Sequence, residues 1–210
     1  MALFDWIPRF DPRKALPSST GTSGTPVVLL HGAYSTPKAF GALAVALNEI
    51  GRPFIAPDYA HYGTGAFVDG LRDVTAICEG FRSFDIVGHS FGGIVGLQLV
   101  RQPEFVGKVS TIIGLGTPWQ GLPTKGKHMV KLFGQAYEDL RGPFEVDDVD
   151  PATKVYSVIS TADKTVNPKF SQFGEVIVLD GSVAHAALPE DISFFTVVLR
   201  ALQMSTSRYY

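Results

Sequence analysis

A single cysteine, Cys78, stands in the 210 residues, so no intrachain disulfide can form. It falls beside Val74, Ile77 and Phe81 in a stretch of helical spacing, where a thiol packs as a small apolar group. No partner pattern for a cysteine nucleophile surrounds it. An excess of positive charge is also lacking: 18 Lys and Arg stand against 20 Asp and Glu, a net charge of -2. That balance does not supply the basic surface a nucleic-acid partner needs. No uninterrupted apolar stretch approaches the ~20 residues that cross a membrane. The opening MALFDWIPRFDPRK lacks the basic start and apolar run of a secretory signal, which sets the expectation of a soluble, cytoplasmic protein. The acidic residues Asp147, Asp148 and Asp150 lack the central glycine and closing glutamate of a calcium loop, so they read as a solvated loop, and no metal or cofactor is implied.

What is present is enough for one domain with a substantial core, since hydrophobic residues make up 45% of the chain. Residues 1–26 read as an irregular leader ending in a Ser/Thr/Gly-rich link. Phe4, Trp6, Ile7 and Phe10 make it too apolar for a free tail, and suit it to covering an apolar surface of the domain or of a partner. From residue 27 to 210 the chain reads as one domain of alternating elements. Strands are expected at Val27–Leu30, Phe54–Ala56, Phe84–Val87, Val109–Ile113, Val155–Ser160 and Glu175–Leu179. Helices are expected at Lys38–Ile50, Gly70–Phe81, Ile94–Val100 and Asp191–Met204. Continuous β-branched strands between amphipathic helices imply an α/β fold with a mostly parallel sheet covered on both faces. One interval is too long for a simple crossover. Residues 115–153, with an expected helix at Lys127–Leu140, read as a wall or partial cap over one end of the sheet.

The most telling stretch is Ile86-Val87-Gly88-His89-Ser90-Phe91-Gly92-Gly93. A serine hydroxyl is a poor nucleophile at neutral pH and must be exposed, aimed and deprotonated by a neighbour. A strand that turns sharply into a helix, with serine at the apex and glycines two residues to either side, does the aiming. The amides of the helix N-terminus then face any negative charge that forms beside it. The stretch has neither the G-x-G-x-x-G spacing nor the Gly-Lys-Ser/Thr of a nucleotide site.

These residues, with LLHG at the first strand end, LGTPWQG, STADKTVNP and AHAAL, resemble the α/β-hydrolase family, and more narrowly the small bacterial lipases and esterases with a minimal six-stranded sheet. The resemblance runs from about Val27 to Leu199 and implies a serine–acid–histidine order. Ser90 would be the nucleophile. His185, in the loop Gly181–Ala187 after the last strand, would be the base, and Asp163, in the loop after Val155–Ser160, the acid that orients it. Asp180 and Asp150 are rival acids. Among the other histidines, His89 is expected to point away from Ser90, His61 precedes the elbow, and His128 belongs to the excursion. The family's oxyanion amides carry over to Ala33, after His31-Gly32, and to Phe91. Tyr34, Trp119, Phe133, Phe40 and the Phe91 ring are candidates to line an acyl pocket, with core positions as the alternative.

The implied activity is hydrolysis of small carboxylic esters through an acyl-enzyme, without a cofactor. Thioesterase, amidase or acyltransferase chemistry would use the same triad. A non-catalytic binding protein on the same fold is the alternative from another class. True interfacial lipase action would require the 115–153 excursion to move.

Overall fold

The computed structural model describes residues 16–122, 135–136, 138–142, 144, 149–181 and 183–206. Six strands form one sheet: β1 Val27–Leu30, β2 Phe54–Ile55, β3 Phe84–His89, β4 Val109–Leu115, β5 Lys154–Ser160 and β6 Glu175–Leu179. Their order is β2-β1-β3-β4-β5-β6, and every neighbouring pair is parallel. The principal helices are α1 Gly41–Glu49, α2 Phe67–Cys78, α3 Phe91–Val100 and α4 Ile192–Thr206. Among the described residues no helix is long and apolar enough to cross a membrane.

Strand alternation divides the core into two layers. Val28, Leu30, Phe84, Ile86 and Ile112 face α2 and α3, where Val74, Cys78, Ile94 and Val95 meet them. Val27, Leu29, Val87, Ile113 and Val158 face the other way, onto Leu43 and Leu47 of α1 and Phe194, Val198 and Leu202 of α4. All four residues of β1 are fully buried, which is why its sequence is apolar without interruption. A buried ion pair ties this assembly together. Arg52 pairs with Asp85 of β3, and its remaining donors reach the Thr25 carbonyl at 2.7 Å and the Leu202 carbonyl at 3.1 Å.

Several boundaries differ from the sequence reading. The first helical segment splits: Pro37–Phe40 is a 3-10 turn, and the α-helix begins at Gly41. The helix expected at 70–81 begins three residues earlier, because the Phe67 amide donates to the Asp139 carboxylate at 2.7 Å. That cap arrives from a distant part of the chain. The elbow helix starts directly at Phe91, and the expected loop around His185 is a 3-10 turn, His185–Glu190. Of the 115–153 excursion, residues 135–136 and 138–139 are helical, and Leu140 joins the α2/α3 core. His128, Phe133, Asp147 and Asp148 lie outside the described residues, as does the aromatic part of the leader. The link beyond it lies along α1 and β2. Thr20 donates to Asn48 Oδ1 at 2.9 Å, and the Phe54 amide donates to Ser19 Oγ at 2.9 Å.

All candidate chemistry lies at the carboxyl ends of the strands. Strand order reverses between β1 and β3, and the crevice beyond such a switch point is where open parallel sheets bind ligands. His31 follows β1 and Ser90 follows β3, one on either side of it.

Candidate active site

Ser90 holds φ 51 and ψ -117 between β3 and α3, a strained conformation for a residue with a side chain. Such backbone costs about 1–3 kcal/mol and persists only where its surroundings impose it. Here the Ser90 amide donates to the Leu115 carbonyl at 3.0 Å, and its carbonyl accepts from Gly93 at 3.0 Å. Gly92 is required by a close approach, since a Cβ there would run into the Leu30 carbonyl oxygen.

The structure brings Asp163 and His185 together. His185 Nδ1 donates to Asp163 Oδ2 at 2.6 Å, and both residues are 6% exposed. The other carboxylate oxygen, Oδ1, accepts the amides of Thr165 and Val166, each at 2.9 Å. With its Nδ1 proton committed to Asp163, neutral His185 presents Nε2 as the lone-pair nitrogen, the arrangement a general base needs. The rivals lie elsewhere. Asp180 is exposed, and Asp150 caps a turn before β5, accepting from the Gly107 and Ala152 amides.

Three residues that the sequence did not single out for this role surround His185 and its loop. Ser160 Oγ, at the end of β5, donates to the Val183 carbonyl at 2.9 Å. His89 Nε2 lies 2.9 Å from the His185 carbonyl, so the elbow's histidine does point away from the serine and meets the candidate base instead. Gly116 follows β4 at φ +57, and a Cβ built on it would lie 3.1 Å from both Asp163 Oδ2 and His185 Nδ1. A glycine directly after a strand, in LGTP, was the available sequence signal for Gly116.

After β1, His31 is fully buried. Its Nδ1 donates to the Gly32 carbonyl at 2.9 Å, and its ring stacks on Tyr59 at 4.5 Å. Burial draws the His31 pKa down, with the Gly32 carbonyl and Asp58, 3.3 Å from Nε2, pulling the other way. Tyr59 donates to the His31 carbonyl and so holds the corner from behind. The Ala33 amide has no hydrogen bond among the described residues. Phe91 is the first residue of α3, where an amide has no intrahelical acceptor. Its ring is buried against Tyr59 and Phe67.

Besides the buried Phe91 ring, two further pocket expectations are corrected. Trp119 is fully buried, donates from Nε1 to Ser157 Oγ at 2.8 Å and meets Phe173 edge to face. Phe40 is likewise buried, in the layer that holds α1. Both are core residues. Tyr34 is half-buried at φ 56 beside Ala33. His61 is exposed. Cys78 is buried with its thiol pushed up to about 12 by desolvation, which removes it as a nucleophile.

The model of the alpha/beta hydrolase family matches residues 27–153. The chain belongs to the alpha/beta hydrolase family. The matched span contains Ala33, Ser90 and Phe91, while Asp163 and His185 lie beyond it. Among curated proteins, a human serine hydrolase-like protein is 34% identical over 108 residues, 45% of this chain and 51% of that protein. A probable alcohol acetyltransferase of Cyberlindnera jadinii is 30% identical over 115 residues, 49% of this chain and 32% of that protein. The alignments thus span about half or less of these relatives' own length. Among solved structures, the Paleococcus ferrophilus monoacylglycerol lipase superposes with a TM-score of 0.71 at 17% identity, covering 90% of this chain and 96% of that one. A Nitrososphaera gargenis structure from a study of carboxylesterases gives 0.67 at 17% identity, covering 90% and 93%. At that identity the likeness speaks to the fold.

Proposed function

We propose that the protein is a serine hydrolase that cleaves carboxylic esters through an acyl-enzyme on Ser90. The observation that carries the reading is the 2.6 Å bond between His185 Nδ1 and Asp163, on a histidine whose ring lies against the residue preceding Ser90. In this cycle Ser90 Oγ attacks the ester carbonyl carbon while its proton passes to His185 Nε2. The carbonyl electron pair becomes an oxyanion on the Ala33 and Phe91 amides, donors that cost roughly 3 kcal/mol each when removed. Collapse expels the alcohol, which takes the proton from His185. Water then gives a proton to His185 and attacks the acyl carbon, and the acid departs as Ser90 recovers its proton. Asp163 holds the imidazole tautomer and stabilises the imidazolium formed at each step. The substrate class is therefore a small-molecule ester or other acyl compound.

Hydrolysis of p-nitrophenyl esters of increasing acyl length, with Ser90→Ala as matched control, tests this. Turnover that vanishes in the variant is the expected result, and the optimum length sizes the acyl pocket. Turnover that survives Ser90→Ala, or none above that variant at any length, overturns the reading. The likeness to an alcohol acetyltransferase favours a second reading with the same acyl-enzyme, in which an alcohol replaces water. Ester product on adding a primary alcohol, at the expense of free acid, would mark it.

A further inference from the structure

We propose that His89 is a positioning residue that holds the base His185 in register with the nucleophile, by donating its Nε2 proton to the His185 backbone carbonyl. This rests on the reading of Ser90 and His185 as nucleophile and base.

Strand parity sets the side of the sheet to which His89 points. Phe84 and Ile86 of β3 face α2 and α3, whereas Val87 faces the layer of α1 and α4. His89, two residues beyond Val87, therefore projects to the Val87 side of the sheet. The 3-10 turn His185–Glu190 closes over that side, since its Leu188 belongs to the same layer. The contact is direct. Nε2 lies 2.9 Å from the His185 carbonyl oxygen, and the two rings are 4.7 Å apart, tilted by 41°. A carbonyl oxygen only accepts, so Nε2 carries the proton and Nδ1 carries the lone pair. That nitrogen abuts the oxyanion corner: a Cβ on Gly32 would sit 2.9 Å from it. One side chain thus touches three strand ends, its own at Ser90, the Gly32 corner and the base.

An apolar side chain would fill this place with less desolvation. His89 is 4% exposed, and its Nδ1 has no hydrogen-bond partner among the described residues, a standing cost that packing alone does not require. What histidine adds is a donor that carries no charge. Burial, with repulsion from His185 and His31, keeps His89 far below the ordinary imidazole range. A cationic donor in the same place would oppose the imidazolium that His185 must become. The His185 side chain is anchored at Nδ1 by Asp163, its carbonyl by His89, and its approach by Ser160 through Val183. Removing the middle anchor leaves the ring hinged on a single bond.

The test compares His89→Phe, which keeps a ring and loses the donor, with His89→Gln, which restores an N–H near the Nε2 position. Two rates are read: steady-state ester hydrolysis, and labelling of Ser90 by a fluorophosphonate, which needs no knowledge of the natural ester. His89→Phe should lower kcat and the labelling rate by about ten- to a hundredfold with KM within about twofold, the scale of a misplacement of ~1 Å. His89→Gln should recover most of both at an unfolding midpoint like that of the Phe variant, a rescue that packing alone would not give. Undiminished labelling in His89→Phe, or a Gln variant as slow as Phe, overturns the proposal. Nitrogen-15 NMR of the five histidines in the wild type needs no variant to fold. It should find His89 protonated at Nε2 only, and the opposite tautomer overturns the proposal equally. Absence of Ser90 labelling in the wild type would strike instead at the nucleophile assignment.

Discussion

Gly116→Ala is the sharpest perturbation of the candidate triad, because the residue touches no substrate and carries no chemistry of its own. Gly116 leaves β4 at φ +57, with its amide bonded to the Val158 carbonyl at 3.0 Å. An alanine in that conformation costs about 1–2 kcal/mol of folding stability by itself. Its methyl would also lie 2.7 Å from Leu188 Cδ1 and 3.1 Å from both Asp163 Oδ2 and His185 Nδ1. The 2.7 Å contact must be relieved at Leu188, itself fully buried, while the two 3.1 Å contacts press on the Asp163 carboxylate and the His185 imidazole from one side. Complete loss of imidazole orientation costs a serine hydrolase about 10⁴ in kcat. A methyl that stretches the bond rather than abolishing it should cost about ten- to a hundredfold, or ~1.4–2.7 kcal/mol of transition-state stabilisation. The assay is kcat and KM on a p-nitrophenyl ester, with urea unfolding measured alongside. Gly107→Ala is the control. Gly107 holds φ +75 with open space where a Cβ would lie, so it carries the backbone strain without the wedge. Gly116→Ala should lose at least as much stability as Gly107→Ala, and only Gly116→Ala should lose kcat. Equal kcat in the two would refute the argument that Gly116 serves the Asp163–His185 contact.

Other perturbations separate the remaining parts. Asp163→Asn should lower kcat by up to about 10⁴ with little change in KM, and a loss below tenfold would return the acid's role to another residue. Gly63→Ala would place a Cβ 2.7 Å from the Gly32 carbonyl and 2.9 Å from Ala33 Cα, pushing on the corner proposed to bind the oxyanion. It should cost up to about 10²-fold in kcat, the scale of losing one oxyanion donor, and an unchanged kcat would count against Ala33. Arg52→Met removes the guanidinium from the buried Asp85 carboxylate and should destabilise by about 3–5 kcal/mol in urea unfolding while kcat stays within twofold. Stability should also depend on pH through His31 and His89, both drawn below 6.5 in the folded state by burial. Between those lowered values and 6.5 the unfolded chain binds more protons, so their contribution is complete above pH 6.5 and is lost as pH falls below it. The urea midpoint should therefore drop between pH 7.5 and 5.5, above the carboxylate range, and His89→Gln should flatten that slope.

What the sequence made legible was what short stretches dictate by themselves. The apolar runs of β1 and β5 announce strands buried on both faces, and the elbow glycines mark a turn that backbone crowding enforces. Contacts made across the fold left no local trace. The start of α2 depends on Asp139, which no reading of Ala66-Phe67-Val68 would supply. Trp119 stands beside the site in sequence and in the core in space, because Ser157 on the neighbouring strand takes its indole proton. Ala60, His61 and Tyr62 all adopt positive φ, a left-handed turn that this composition does not signal. Its strain is offset by position: Ser35 donates to the Tyr62 carbonyl, and Gly63 packs on Gly32 and Ala33.

Asp163 shows why a residue's local and functional readings need not compete. As an aspartate in Ser-Thr-Ala-Asp-Lys-Thr it reads first as a turn former, and Oδ1 does form the turn, accepting the Thr165 and Val166 amides. Those two bonds fix the carboxylate plane and leave Oδ2 to accept the hydrogen bond from His185 Nδ1. Asp180 is nearer to His185 in sequence but stays exposed at the end of β6. Closeness along the chain would therefore have picked a carboxylate that His185 does not meet. The turn that made Asp163 look ordinary is what aims it.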